Sequence, residues 1–358
     1  MSYWTRKEIV ECLRMPDPAP LFAEADSVLS NIYGRNVHLR ALLETGNNCV
    51  ADCLYCGLRR GNTAAERYSM DAPTIVDTAT RAAAGGFRTV VMQAGEDAGM
   101  RPEFLRDVVA SIRRRADAAI TLSYGEWPAS VYRMWQQAGA DRYLLKFETS
   151  NRELFASLRP GRTLAQRLSC LHHLGAAGYQ VGTGFMVGLP GQTLEDLAGD
   201  LLLLYELHPA MAGIGPYIPH PSTPLGRQDG PGGAPGWRED PVVGHVDSGD
   251  MALRCIAVAR VMNPVAHLPA TTALGVRMDK GYLRGLAAGA NVIMVDVTPG
   301  RWGRLYEIYP GRRMEKDATP SSLWNRYRKL LARAGYAVST CRGDGLRIAP
   351  RLQEPCTA

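Results

Sequence analysis

From residue 37 onward, short apolar runs rich in Val, Ile, Leu and Thr alternate with segments whose apolar residues recur every three or four positions. The first pattern is that of buried strands and the second that of amphipathic helices. Strands are expected at 37–43, 89–94, 119–124, 143–148, 180–187, 213–218, 265–269 and 291–297. Several intervening helices run into glycine, as at Gly85-Gly86, Gly139 and Gly178, where a helix C-cap is expected. Strand–helix alternation implies parallel strands joined by crossover helices, and eight repeats close into a complete (β/α)8 TIM barrel of the α/β class. An open doubly wound sheet is the alternative, but no early Gly-x-Gly-x-x-Gly turn favours it. Residues 1–36 read as a helical extension outside the barrel, 37–345 as the barrel, and 346–358 as a tail. The Gly/Pro-dense stretch 226–247 reads as an irregular surface insertion after the sixth strand, with a functional lid as the second reading.

Composition narrows the class of protein. With 46% hydrophobic and 21% charged residues the chain can bury a large core, and no apolar run is long enough to span a membrane. The start lacks a signal-peptide core, so a cytoplasmic protein is expected. The net charge of +6 is spread along the chain, and Arg113-Arg114-Arg115 reads as a solvated helix face. Nucleic acid is not an expected partner.

Three of the eight cysteines, Cys49, Cys53 and Cys56, fall within eight residues just beyond the first strand. A closed zinc site needs four ligands, and no nearby Cys or His pair supplies the fourth. A four-iron cluster held by three cysteines keeps one iron free for an exogenous chelator. The remaining cysteines stand singly and read as free thiols.

Barrel chemistry collects at the C-terminal ends of strands. After the second strand stands Gly95-Glu96-Asp97, where a glycine admits a close ligand and carboxylates can take an amine; an acidic helix N-terminus is the structural alternative. In the fourth strand Arg142, Lys146 and Glu148 share one face by alternation, and inward charges are costly unless they meet a ligand or each other. Arg167 can reach the same space. The fifth strand, with Gly182, Gly184 and Gly188, suits the close approach of another backbone or of a flat ligand such as adenine. Thr193 with Asp196 reads as a helix cap.

The Cys-x3-Cys-x2-Cys spacing with Tyr55 before the third cysteine resembles the signature of radical S-adenosylmethionine (SAM) enzymes. Further segments (93–97, 179–193, 213–221, 269–275 and 305–310) are similar to the [FeFe]-hydrogenase maturase family HydE, a relative of biotin synthase and methylornithine synthase. The resemblance implies one [4Fe–4S] cluster on Cys49, Cys53 and Cys56, with SAM contacted by Tyr55, Gly95, Glu96, Asp97, Lys146, Glu148, Arg167 and Met186. It implies a substrate cavity lined by Arg142, Thr271, Thr272, Met294, Tyr306 and Tyr309. It also implies a small-molecule or organometallic substrate, in the family a cysteine-ligated Fe(CO)2CN unit delivered by HydG on the way to HydF. An external one-electron reductant such as flavodoxin or ferredoxin is implied as well. Three departures stand out: Ala94 where the family has Ser, Lys146 where it has Arg, and Met314 in place of accessory cysteines, so a single cluster is expected. They leave open a small-molecule radical enzyme similar to methylornithine synthase, or a non-catalytic iron–sulfur scaffold.

Overall fold

A computed structural model describes residues 4–227, 234–312 and 318–346. The expectations for Met314, for the middle of the 226–247 stretch and for nearly all of the tail, Cys356 included, lie outside the described residues. Eight parallel strands form the sheet: β1 Asn36–Gly46, β2 Thr89–Ala94, β3 Ala119–Ser123, β4 Arg142–Leu144, β5 Gln180–Val187, β6 Met211–Pro216, β7 Pro269–Ala270 and β8 Val292–Asp296. Their order is β6-β5-β4-β3-β2-β1-β8-β7. Closure comes from a bridge between Met211 and His267, where the Ala212 N–H donates to the His267 carbonyl at 2.9 Å and the His267 N–H to Ala210 at 3.0 Å. The eight-stranded barrel is therefore the fold. A ninth short strand, β9 Ala337–Val338, adds to the lower end of β1.

The side-chain alternation of β1 sets the layers. Val37, Leu39, Ala41 and Leu43 pack outward under the helices, whereas Arg40, Leu42 and Glu44 face the lumen. A barrel lumen ordinarily fills with branched apolar side chains. Here β5 and β6 supply glycines instead, and the upper lumen stays open. Gly184 adopts φ +148°, and a Cβ there would fall 2.0 Å from the Gly213 carbonyl oxygen. The close neighbour that β5 glycine accommodates is thus the backbone of β6.

β2 and β5 keep their expected bounds, β3 and β8 lose one residue at one or both ends, β1 lengthens to Asn36–Gly46, and the other three shift further. β4 ends at Leu144, beyond which one extra residue bulges out before the chain pairs with β5 again at the Glu148–Phe185 bridge, with Glu148 at φ +69°. β6 starts two residues earlier and stops at Pro216, before the proline-rich 217–221. β7 shrinks to two residues after the turn at Asn263–Ala266, with only His267 pairing ahead of it. The helices Arg6–Arg14 and Ala19–Tyr33 precede the barrel and pack on helices Leu194–Leu207 and Ser248–Met262. Leu194–Leu207 carries the Thr193/Asp196 capping box read from sequence. Arg113 departs from the solvated-face reading, since it pairs with Asp141 and donates to the Gly139 carbonyl. The described part of the insertion is anchored rather than irregular throughout: Gly236–Glu239 forms a 3-10 turn, Trp237 is buried and donates to the Val246 carbonyl at 3.1 Å, and Asp240 accepts from Arg14 Nε at 2.8 Å. Among the described residues, no helix is long and apolar enough to cross a membrane.

Candidate active site

The loop after β1 carries Cys49, Cys53 and Cys56 across the upper mouth of the barrel. Its backbone is tied down on several sides: Val50 N–H donates to the Glu96 carbonyl at 2.8 Å, Leu54 to Leu158 at 2.9 Å and Gly57 to Ile308 at 3.0 Å. Gly95 packs beneath it, where a Cβ would lie 2.2 Å from Asn48 O and 2.8 Å from Cys49 Cβ. The glycine expected near a ligand is needed first by the cysteine loop itself.

All three cysteines are free thiols. Burial pushes each thiol up, most of all Cys56, while Arg159 and Arg167 pull Cys53 the other way. Metal binding must therefore displace protons from this loop. Among the described residues no three His, Cys, Asp or Glu side chains converge tightly enough to chelate one ion. A four-iron cluster asks for something else, one iron per thiolate. Three clustered cysteines beside a cationic wall and an open lumen fit such a cluster, with Cys49, Cys53 and Cys56 as the residues that would hold it.

Below the loop lies a cavity of ≈ 290 Å³. Its wall includes Tyr55 and Cys56 at the top, Lys146, Glu148 and Met186 on one side, and Thr271, Thr272, Met294 and Tyr309 on the other. Lys146 Nζ pairs with Glu148 Oε2 at 3.2 Å. Glu148 sits in left-handed backbone geometry, which a non-glycine residue adopts only where its surroundings hold it; its N–H donates to Gly184 O and its carbonyl accepts from Met186 N–H. Burial raises the Tyr282 and Tyr309 phenols, and Thr272 beside them offsets part of that. Thr271 also caps the short helix that follows. Tyr306 lies behind the wall, buried against Arg312, whose guanidinium carbon is 5.7 Å from its ring.

Other expected residues stand elsewhere. Glu96 does not reach the cavity; it bonds Arg159 at 3.3 Å and Arg162 at 3.2 Å. Asp97 receives the Asn48 amide at 3.4 Å and the Gly99 N–H at 2.8 Å, a turn-building role. Arg167 donates to Glu126 Oε1 and to the Lys146 carbonyl, both at 2.6 Å, and so fixes the end of β4 from behind. Arg142 is corrected outright: it faces the lumen as alternation requires, but it lies below the cavity floor at Met211, bound to Asp344, Thr89 and the Arg342 carbonyl.

Sequence reasoning missed two charged groups. Arg159, Arg162 and Arg167 meet Glu96 and Glu126 behind Cys53, three cations against two anions. Glu44, Arg312 and Asp296 form the second, at the cavity edge. Glu44 lies near the C-terminal end of β1 and Glu126 just beyond β3, and that position was the available signal.

A model of the Radical SAM superfamily matches residues 43–204. The [FeFe] hydrogenase maturase subunit HydE of Thermotoga maritima is 42% identical over 314 residues, 86% of this chain and 85% of that protein. The 3-methylornithine synthase of Methanosarcina acetivorans is 24% identical over 275 residues, 76% and 73% of the two chains. Among solved structures, methylornithine synthase (PylB) superposes with a TM-score of 0.78 at 21% identity, covering 94% of this chain and 95% of that one. The [FeFe]-hydrogenase maturase HydG does so with 0.74 at 20%, covering 94% and 73%. At such identities the two structures speak for the fold alone.

Proposed function

This chain belongs to the radical SAM superfamily and, within it, to the family of the [FeFe]-hydrogenase maturase HydE, and from that premise we propose that it cleaves SAM reductively above the ≈ 290 Å³ cavity to modify a substrate held inside it during hydrogenase cofactor assembly. The observation that carries the reading is that one continuous cavity reaches from Cys56 and Tyr55 to Glu148 and Met186, and on to Thr271, Met294 and Tyr309. When bound, the cluster and SAM supply an electron and a 5′-deoxyadenosyl radical. The chain's own residues hold and shield. Glu148, kept in place by β5 and by Lys146, offers a carboxylate to SAM hydroxyls or its amine. Arg159 and Arg167 supply positive charge behind Cys53, which offsets part of the burial that disfavours its thiolate. The apolar part of the wall (Leu42, Val91, Leu144, Met294 and Ile308) keeps water from a reactive carbon radical.

The substrate we propose is an iron unit carried by a cysteine, received from a HydG-like partner and passed toward a HydF-like one, in the cytoplasm and with an external one-electron donor. The test is anaerobic reconstitution with iron and sulfide, then dithionite and SAM. The expected result is a cluster whose electron paramagnetic resonance spectrum changes with SAM, together with release of 5′-deoxyadenosine and methionine. A loaded cluster that never cleaves SAM would instead make the chain an iron–sulfur scaffold. Consumption of lysine with SAM would move it to the methylornithine synthase side.

A further inference from the structure

The alternation along β1 delivers Glu44 to the lumen at the edge of the cavity, and this side chain is 0% exposed. Its two carboxylate oxygens differ. Oε1 takes Arg312 Nη2 and, at 3.4 Å, the Gln93 amide, whereas Oε2 has no hydrogen-bond partner among the described residues. Arg312 cannot turn to serve it, because the same guanidinium donates to Asp296 Oδ2 at 3.2 Å and to the Tyr306 carbonyl at 2.6 Å. With both carboxyls ionised, Glu44 and Asp296 against Arg312 leave one negative charge in excess among the described residues.

A buried carboxylate oxygen without a donor is destabilising, and a buried charge without a counterion more so. Of the other polar groups on the wall, Lys146 is paired with Glu148, and the Tyr217 hydroxyl, unpartnered among the described residues, is neutral and supplies no countercharge. What Glu44 lacks is therefore a positively charged donor, and the cavity beside it is where one can arrive. We propose that Glu44 Oε2 receives a protonated nitrogen of the substrate, which makes the cavity selective for amine-bearing molecules, with Arg312 and Asp296 positioning the carboxylate. Burial first, then Asp296, pushes the Glu44 carboxyl up to about 8, with Arg312 offsetting only part; near neutral pH the empty site therefore keeps a proton on Glu44, and an arriving ammonium displaces that proton to solvent.

This inference rests on the cavity being the radical enzyme's substrate site, and its test separates the two. Cluster-loaded protein with SAM and no reductant is titrated calorimetrically with L-cysteine and with 3-mercaptopropionate, which has the same thiol and carboxylate but no ammonium. Wild type is expected to bind cysteine at least about tenfold more tightly, the scale of one charge-assisted hydrogen bond. In Glu44→Gln, checked for full cluster loading, the preference disappears; in Glu44→Asp, which keeps the charge, a preference remains. No cysteine binding, equal binding of the two probes by wild type, or a preference that survives in Glu44→Gln overturns the assignment. Loss of the SAM-dependent spectral change in wild type would instead overturn the radical reading beneath it.

Discussion

At the lower end of the barrel lumen Arg40, Arg142 and His267 surround a space of ≈ 10 Å³, about the room one water requires, while at the upper end Glu44, Lys146, Glu148 and Arg312 border ≈ 290 Å³. Both ends place charge inside a barrel, where it is expensive. Most of the lower polar groups are answered by the chain itself, although Arg40 Nε and His267 Nε2 have no partner among the described residues. Arg142 donates to Asp344 Oδ1 at 2.7 Å and to the Arg342 carbonyl at 2.8 Å, Thr89 donates to the same carbonyl at 2.9 Å, and Arg40 reaches Gly343 O at 3.3 Å. The segment 342–345 thus stoppers the barrel from below. His38 and His267 stay neutral there, pushed down by burial and then by Arg40, His38 to about 4. The upper charges are answered only in part, with Glu44 Oε2 unpartnered among the described residues and Glu148 held in costly backbone geometry. Inward charge closed by the chain is architecture; inward charge left open above a cysteine loop is a site.

The strongest way to break this contrast is at the cysteine loop. Cys53→Ala is expected to lose nearly all of the about four irons a single cluster brings and to abolish SAM cleavage, while the melting temperature of the metal-free protein barely moves. Retention of a SAM-dependent spectrum would mean that another group completes the ligand set. At the lower end the expectation inverts. Arg142→Leu should cost about 3 kcal/mol in urea unfolding, since it removes the buried half of an ion pair and three further hydrogen bonds, yet change SAM cleavage per cluster far less. A collapse of cleavage with stability intact would extend the active cavity to the floor of the barrel.

Arg142 also shows where sequence reading stops. Alternation gives the face of a strand but not the depth at which a residue serves, and the six residues from Arg142 to Glu148 span up to about 20 Å. β2 and β5 end where their apolar runs end, because local pattern decides them. β4 is cut short by a bulge and β7 by a turn, both of which only tertiary packing fixes. The cysteines were legible because one loop holds all three. The Glu44–Arg312 contact, 268 residues apart, was not, and neither was the arginine group behind Cys53. Gly95 was found for one reason and is required for another, its contact with Asn48.

Glu148→Gln sharpens the comparison on the upper side. The substitution keeps shape and backbone hydrogen bonding but removes the charge opposite Lys146. SAM affinity, followed by titrating the cluster spectrum, is expected to weaken about tenfold, or about 1.4 kcal/mol, with iron content and unfolding unchanged. Unaltered affinity would assign Glu148 to holding Lys146 and the end of β4, leaving the upper charges structural like the lower ones.

The smallest expected effect belongs to the stopper. Asp344 is half exposed on its side chain whereas Arg142 is 4% exposed, so water screens much of their attraction and Asp344→Asn should cost about 1 kcal/mol or less at pH 7. Its signature is the pH dependence. Burial acts to raise the Asp344 carboxyl, but the Gln180 hydrogen bond and the Arg142 and Arg342 charges outweigh it, leaving the folded value below the ordinary 3.8. A depressed carboxyl stabilises the fold above its unfolded value, and that contribution fades as pH falls through the folded one. Wild type and Asp344→Asn should therefore differ in unfolding free energy at neutral pH and converge as pH falls below the ordinary 3.8 and on through the depressed folded value. The loss between pH 6.5 and about 4, where buried His38 resists the proton that the unfolded chain accepts, is common to both and cancels in the difference. If the two curves stay parallel down to the acid limit, the carboxylate charge is not what closes the lower end, and the Arg342 and Gly343 carbonyls hold Arg142 and Arg40 without it.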